Sequence, residues 1–332
     1  MTRLVQIRAG QVRRVALVEE PSLRLLRSHA SVLDLAREAA ASGTPLTALV
    51  AREASGQILD YEAVYQGRSE WRLLPPVDHP GEPSRCLVSG TGLTHIGSAQ
   101  NRASMHSGAE SLTDSMRMFQ SGVEGGRPPA GAIGAAPEWF FKGTGSILRA
   151  HDEPLEVPAF AEDGGEEAEV AGAYLIGDDG TPRRIGMAAG NEFSDHQFER
   201  KNYLNLAGSK IRTCSLGPEL VVDPDFDSVP GAVTIERAGA TLWTGRIATG
   251  EAEMCHSLRN IEHHHFKFES HRRPGDLHIH FYGAHSLSFG AGIILADGDS
   301  VTIQFRGFGR PLRNPIRIAR APARLVTAPP LL

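Results

Sequence analysis

Glu167 and Glu169 stand two residues apart at the head of an apolar run, Val170-Ala-Gly-Ala-Tyr-Leu-Ile176. In an extended chain, residues i and i+2 share a face, so the two carboxylates project side by side. Like charges held that close repel unless a cation lies between them. An oxygen-only ligand pair points to Mg²⁺, or to Mn²⁺ or Ca²⁺, rather than Zn²⁺. The spacing alone equally fits an acidic, solvated loop from Glu162 to Glu169. Glu192, in Gly190-Asn-Glu-Phe-Ser-Asp-His-Gln197, falls where a strand gives way to a helix. Ser194 and Gln197 have the S-x-x-Q spacing of a capping box and predict that helix start. A third carboxylate aimed from this junction completes a set of Glu167, Glu169 and Glu192, on which Mg²⁺ would keep positions open for a substrate. Lys210, in Ala207-Gly-Ser-Lys-Ile-Arg-Thr-Cys-Ser-Leu-Gly-Pro218, is a candidate general base or carboxylate clamp. Lys142, in Trp139-Phe-Phe-Lys-Gly-Thr-Gly145, has the same character.

Three kinds of element must position these groups. Residues 1–80 read as a small N-terminal α/β unit. It has strands at Leu4–Arg8 and Val12–Val18, and a helix begins at Ser31, where apolar residues recur with helical spacing. The Pro-rich stretch Leu74–Ser84 has the composition of a linker. From residue 85 the texture changes: Cys86–His95 reads as a buried strand entering a Gly-bearing loop, and residues 103–122 as a helix that could serve as a lid. From Trp139 to Ile316 short strands follow one another at 170–176, 185–189, 220–222, 232–237, 277–282, 293–295 and 301–305, separated by turn signals such as Gly177-Asp-Asp-Gly180. The fold class expected is α+β and β-rich, with a larger catalytic unit over residues 85–320.

The chain has 332 residues, enough to bury a full core without disulfide or metal staples. Its net charge of −5 argues against a general nucleic-acid or membrane-surface binder. Three cysteines, an odd number with none in a C-x-x-C pair, fit a reducing, cytoplasmic compartment. The first residues contain no signal-peptide h-region, and no apolar run approaches the length of a membrane span.

The ordered run of motifs resembles the fumarylacetoacetate hydrolase superfamily: Phe-Lys-Gly at 141–143, Glu-x-Glu before an apolar strand ending in Ile176-Gly, Gly190-Asn-Glu-x-Ser194, then Lys210 before Leu216-Gly-Pro218. Gly298-Asp-Ser-Val-Thr-Ile303 and Gly307-Phe-Gly-Arg-Pro-Leu-Arg-Asn314 close it. The resemblance implies a mixed β-roll, barrel-like catalytic domain behind a variable N-terminal portion, one divalent metal, and a homodimer or higher homo-oligomer. It implies that Glu167, Glu169 and Glu192 hold the metal, Glu192 standing where the family usually has Asp. Lys210 matches the active-site lysine, and Lys142 matches a lysine near the substrate acid group. Hydrolases of the superfamily pair a His with a Glu to activate water. Here the matching stretch is Gly90-Thr-Gly-Leu-Thr-His-Ile-Gly-Ser98, which keeps His95 but has Ser98 at the Glu position. Thr91 and Ser98 then fall among substrate contacts, as do His285 and Ser286, which occupy the place of the usual Thr-Gly-Thr-Pro loop. These departures look most like the branch that dehydrates 2-keto-3-deoxy sugar acids.

The chemistry implied is a metal-bound 2-keto acid losing a C3 proton to Lys210, whose pKa burial and the cation should depress. The C4 hydroxyl would then leave with a proton from His95 or a metal-bound water. The product of a 2-keto-3-deoxypentonate would be 2,5-dioxopentanoate, in sugar-acid catabolism. A runner-up is hydrolysis of an acylpyruvate or diketo acid, in which Glu110 of the lid segment folds over His95 and restores a dyad. A third reading is a non-catalytic sugar-acid binding protein, against which Lys210 and Lys142 speak. Glu262-His-His-His-Phe-Lys-Phe-Glu269 reads as a solvated or interface segment.

Overall fold

In a computed structural model, residues 1–97, 99 and 113–326 are described. Ser98, His106 and Glu110 lie outside them, as does the first part of the helix expected at 103–122. The described part of that region forms a helix over Asp114–Gly125, capped by Thr113.

The large sheet has 13 strands. Its path runs from Ala54–Asp60 through Ser22–Leu26, Val12–Glu19 and Arg3–Ala9 to Leu220–Val221, Pro182–Asn191, Ala168–Ile176, Leu277–Phe281, Cys86–Gly92 and Glu138–Thr144. Pairing is antiparallel along most of this path, but Leu277–Phe281 and Cys86–Gly92 run parallel. A second sheet of five strands is built from Ala240–Thr249, Val229–Arg237, Ser300–Phe305, Leu312–Ile318 and Leu155–Val157. The two sheets are mixed α+β in setting, strand-rich, and close into no barrel among the described residues.

Every residue of Ala168–Ile176 is buried, because both faces of this strand are covered. That is why it reads as a continuous apolar run rather than an alternating one. On one face Val170, Tyr174, Met187 and Ala189 pack against Val233, Ile235, Val301 and Ile303 of the second sheet, and against Leu258 and Phe266. On the other, Ala171, Ala173, Leu175 and Ile185 pack against Leu33, Ala36 and Leu49 of the N-terminal helices. The helix Val32–Ser42 starts at Ser31, whose hydroxyl accepts from the Asp34 N–H, and ends at Gly43 with φ 65°; the left-handed turn favours glycine. A third core, containing Val5, Ile7, Leu23 and Tyr61, lies beneath the N-terminal strands.

The N-terminal strands continue the large sheet: Arg3 and Leu4 pair with Val221 and Leu220. The Pro-rich stretch is tied down as well, since the Gln6 side chain donates to the Pro75 carbonyl and to Asp78, each at 2.7 Å. Three local expectations are corrected. Residues 293–295 form no strand but follow a single 3₁₀ turn over Ser288–Ala291. The helix after Glu192 is capped by Asp195, whose carboxylate accepts from the Phe198 N–H, one residue later than the capping box predicted. The triple histidine lies on the helix Leu258–Phe266, which packs on the sheet and buries His264 and His265. No helix among the described residues is long and apolar enough to cross a membrane.

Candidate metal centre and active site

The strand pair Ala168–Ile176 and Pro182–Asn191 positions all three carboxylates. Its register sets Glu169 opposite Gly190 and Ala168 opposite Asn191. The pairing then runs on past the strand ends: the Glu192 N–H donates to the Glu167 carbonyl at 2.9 Å, and Gly165 and Ser194 exchange two bonds. Glu167 and Glu192 are thereby held side by side, with Glu169 one pleat further on. Phe193, immediately after Glu192, has φ 53°. A bulky residue in the left-handed region is strained, and strain of this kind collects at functional sites.

One ligand atom from each of Glu167, Glu169 and Glu192 lies within 4.8 Å of the others, and all three residues are buried. Each carboxylate is oriented by a further group, as metal-binding carboxylates require. Glu167 Oε1 faces Lys210 Nζ at 2.5 Å and His196 Nε2 at 3.1 Å. Glu169 Oε2 accepts from the Gly283 N–H at 2.7 Å. Glu192 Oε1 is bound by Lys142, and its Oε2 lies 2.5 Å from Lys210 Nζ. Lys142 gives its remaining donors to the carbonyls of Phe193, at 3.0 Å, and Lys210, at 2.8 Å. Fully buried and fully used, Lys142 supports Glu192 and the Lys210 turn and has no donor left for a substrate acid group.

The charges are out of balance in a way that fits a cation. Burial, then Glu192 and Glu167, push Glu169 well above the ordinary carboxyl range. Burial and the Glu167 charge likewise raise Glu192 against the pull of Lys142 and Lys210. For Glu167, burial raises the pKa, but Lys210 and His196 outweigh it and hold the group well below its usual value. An all-oxygen set with one carboxylate lacking a cationic partner is what a hard divalent ion neutralises. The three glutamates therefore fit such an ion, and the reading of an acidic solvated loop is set aside, since all three are buried.

Lys210 ends the short helix Leu206–Lys210, with its ammonium 4.7 Å from the centre of the Phe140 ring. The expectation of a depressed Lys210 is reversed in this arrangement. Burial pulls its pKa down, but Glu167, Glu192 and Glu199 outweigh burial and raise it. His95 is buried beside the same site, with Nδ1 2.9 Å from Thr94 Oγ1 and Nε2 3.1 Å from Thr249 Oγ1. Burial, with His285 alongside, pushes His95 down to about 3, so at neutral pH it is a neutral imidazole and not an imidazolium acid. Thr94 Oγ1 donates to the Tyr282 carbonyl at 2.8 Å, which joins the His95 turn to the loop that holds Glu169. His285 and Ser286 lie on that loop. Thr91 Oγ1 lies 2.7 Å from His280 Nε2, so its hydroxyl is engaged by that ring.

Three participants escaped the sequence reading. His196 steadies Glu167, and Glu199 adds charge around Lys210; both open one helix, and their i, i+3 spacing was the available signal. Glu138 is the third. Burial alternates along Glu138–Thr144 so that Glu138, Phe140 and Lys142 share the inward face. Glu138 Oε2 accepts from the Tyr203 hydroxyl at 2.9 Å. The period-two spacing was legible, but an isolated Glu before an aromatic pair carried no motif.

No protein-family model and no curated protein sequence matches the chain. Solved structures do. A 2-keto-3-deoxyarabinonate dehydratase superposes with TM-score 0.73 at 19% identity, over 96% of this chain and 100% of that one. A 2-keto-3-deoxy-D-arabinonate dehydratase complexed with magnesium and 2,5-dioxopentanoate gives 0.71 at 18% identity, with the same coverage. A 2-hydroxyhepta-2,4-diene-1,7-dioate isomerase from Mycobacterium marinum gives 0.59 at 17% identity, over 97% of this chain and 100% of that one. The chain therefore has the fold these proteins share, which is of the fumarylacetoacetate hydrolase type, over nearly its whole length.

Proposed function

We propose that the chain belongs to the fumarylacetoacetate hydrolase superfamily and is a Mg²⁺-dependent hydro-lyase that dehydrates a 2-keto-3-deoxy sugar acid, a 2-keto-3-deoxypentonate giving 2,5-dioxopentanoate. The observation that carries this reading is the buried set Glu167, Glu169 and Glu192 with Lys210 lodged against two of its members. The fold likeness to two dehydratase structures favours this chemistry over others available to the same site.

Glu167, Glu169 and Glu192 would hold the cation, which when bound supplies Lewis-acid polarisation of a C2 carbonyl and balances the carboxylate charge. Lys142, His196 and the Gly283 N–H keep the three carboxylates in place. With Glu167 and Glu192 balanced, burial is the main remaining influence on Lys210, and it favours the free amine, the form that accepts the C3 proton. His95, neutral, gives its ring N–H to Thr94 Oγ1, whose own proton goes to the Tyr282 carbonyl, and so steadies the loop that carries Gly283. The proton that Lys210 takes from C3 is then available to the departing C4 hydroxyl, which leaves as water. Breaking the C3–H and C4–O bonds forms the C3–C4 double bond and releases water; moving a proton from C5 to C3 of this 5-hydroxy enone gives the C4–C5 enol, whose ketonisation, with the hydroxyl proton going to C4, completes the product.

The reading also carries a homo-oligomer and a cytoplasmic location. The test is incubation of the purified protein and Mg²⁺ with 2-keto-3-deoxy acids and acylpyruvates, with products identified by mass. A product lighter than its deoxy acid by one water supports the lyase. Release of pyruvate from an acylpyruvate, with no dehydration of any deoxy acid, overturns it in favour of hydrolysis.

A further inference from the structure

Glu166 is the neighbour of a metal-site glutamate but points away from its set. It is fully buried, and both its oxygens are taken by one residue: Oε1 accepts from the Ser288 N–H at 2.7 Å and Oε2 from the Ser288 hydroxyl at 2.5 Å. Ser288 is itself buried. Five positions earlier, the Gly283 N–H is bound to Glu169. The acidic strand therefore grips both ends of one short loop. Residue 283 must be glycine on two counts: its φ is 101°, and a Cβ there would stand 2.0 Å from Thr94 Oγ1. Just past the second anchor, the Phe289 ring lies 5.1 Å from that of His196, which steadies Glu167.

Between the anchors lie Ala284, His285, Ser286 and Leu287, of which Ala284 and Leu287 are buried and the two polar residues are half-buried. The His285 ring stands edge-on to that of His95 at 6.0 Å, and its Nδ1 is buried without a partner among the described residues. A buried polar atom left without a partner costs free energy that a ligand can recover.

We propose that Glu166 is a positioning residue: through Ser288 it fixes the His285–Ser286 loop, so that His285 Nδ1 and the Ser286 hydroxyl meet the hydroxylated end of the substrate, away from the carbonyl that faces the metal carboxylates. This rests on the sugar-acid reading above. A carboxylate receiving both an N–H and an O–H holds a loop more firmly than either neutral bond alone. Its loss would leave two buried donors without acceptors while the Glu167, Glu169 and Glu192 set stays as it is.

The test compares Glu166→Ala, Glu166→Gln and Ser288→Ala in the full chain by three measurements: amide hydrogen exchange over 283–289, Mn²⁺ affinity by electron paramagnetic resonance, and steady-state turnover of 2-keto-3-deoxypentonate with Mg²⁺. Loss of the anchor should speed exchange at 284–288 and raise KM by about tenfold or more, the factor for a charged hydrogen bond, while Mn²⁺ affinity stays within about twofold. Glu166→Gln, which keeps an acceptor for the N–H, should recover most of the effect. Exchange and KM unchanged in Glu166→Ala and Ser288→Ala, or Mn²⁺ affinity falling in step with KM, overturns the proposal. If Glu166→Ala does not fold, Ser288→Ala and Glu166→Gln decide by the same criteria. If the wild type turns over no deoxy sugar acid, the functional reading fails, while the exchange measurement still decides whether Glu166 holds the loop.

Discussion

Glu169→Gln should reverse the order of stability of variant and wild type according to whether a divalent ion is present. Lys210 lies against Glu167 and Glu192, and Lys142 against Glu192, but Glu169 has only the Gly283 N–H. Its nearest charges are the other two carboxylates, within 4.8 Å. At an effective dielectric near 20, two unit charges at that separation repel by about 3.5 kcal/mol, and the nearby ammonium groups cancel part of this. Burial and these neighbours raise the Glu169 pKa, so the folded protein binds a proton there that the unfolded chain has released; stability without metal therefore falls as pH rises above the ordinary carboxyl range. Glutamine removes the charge yet still accepts from Gly283. In EDTA at pH 8 the variant should be the more stable by about 1–3 kcal/mol, or several degrees in Tm at about 2–4 °C per kcal/mol. With saturating Mg²⁺ the wild type should gain stability through binding and the variant little. Differential scanning calorimetry with and without Mg²⁺ tests both halves. A variant that melts below the wild type in EDTA, or a wild type whose Tm ignores Mg²⁺ and Mn²⁺, refutes the reasoning.

Lys210→Met keeps the stem and removes the amine, so exchange of substrate C3 protons with D₂O should stop while Mn²⁺ still binds; NMR of the substrate reads this, and persistent exchange would move the base elsewhere. Burial pushes His95, His278 and His280 down to about 3 and His256 to about 4. The unfolded chain binds these protons near 6.5, so stability is full above that pH and declines towards pH 4, by up to about 1.4 kcal/mol per pH unit for each histidine. Urea midpoints measured between pH 4.5 and 8 should fall on the acid side, and a flat profile would refute this. Gly283→Ala forces a Cβ against Thr94 Oγ1 in a left-handed turn, and should destabilise by about 1–3 kcal/mol while weakening Mn²⁺ binding through Glu169. Unchanged melting and unchanged affinity would show that the turn tolerates a side chain.

The acidic set was legible because a period of two is a local property: Glu167 and Glu169 share a face in any strand, and Glu192 stands at an end marked by helix-capping residues. What each carboxylate leans on was not legible. Lys142 looked like a substrate ligand because its neighbours in sequence are aromatic and small; its partners, Glu192 and two backbone carbonyls, lie fifty or more residues away and come together only through sheet register. The same holds for Lys210, whose protonation follows the carboxylates folded around it rather than its own loop. The capping residue was missed by one position because Ser194 is committed to a bridge with Gly165, which leaves Asp195 to cap. The histidine run was misread because charge and polarity suggested solvent, whereas His265 Nε2 is spent on His278 Nδ1 at 2.9 Å and its Nδ1 accepts from Trp139.

The N-terminal strands are bonded into the same sheet as the strands that position Glu167, Glu169 and Glu192, and this limits how the molecule can be cut. Glu219, buried in the strand segment that Arg3 and Leu4 complete, accepts from the Tyr61 hydroxyl at 2.8 Å, the Arg3 guanidinium at 3.0 Å and the Arg310 N–H at 3.0 Å. Two of those three donors come from the first 65 residues. A chain begun at the Pro-rich stretch would strip them away, uncover the Leu220–Val221 edge to stray strand pairing, and leave a buried anion with one amide for company. The first 80 residues thus complete the edge and the hydrogen bonding of the sheet that positions Glu167, Glu169 and Glu192. A length of chain that looks dispensable on composition is one that any expression truncation, proteolytic nick or domain graft must leave in place.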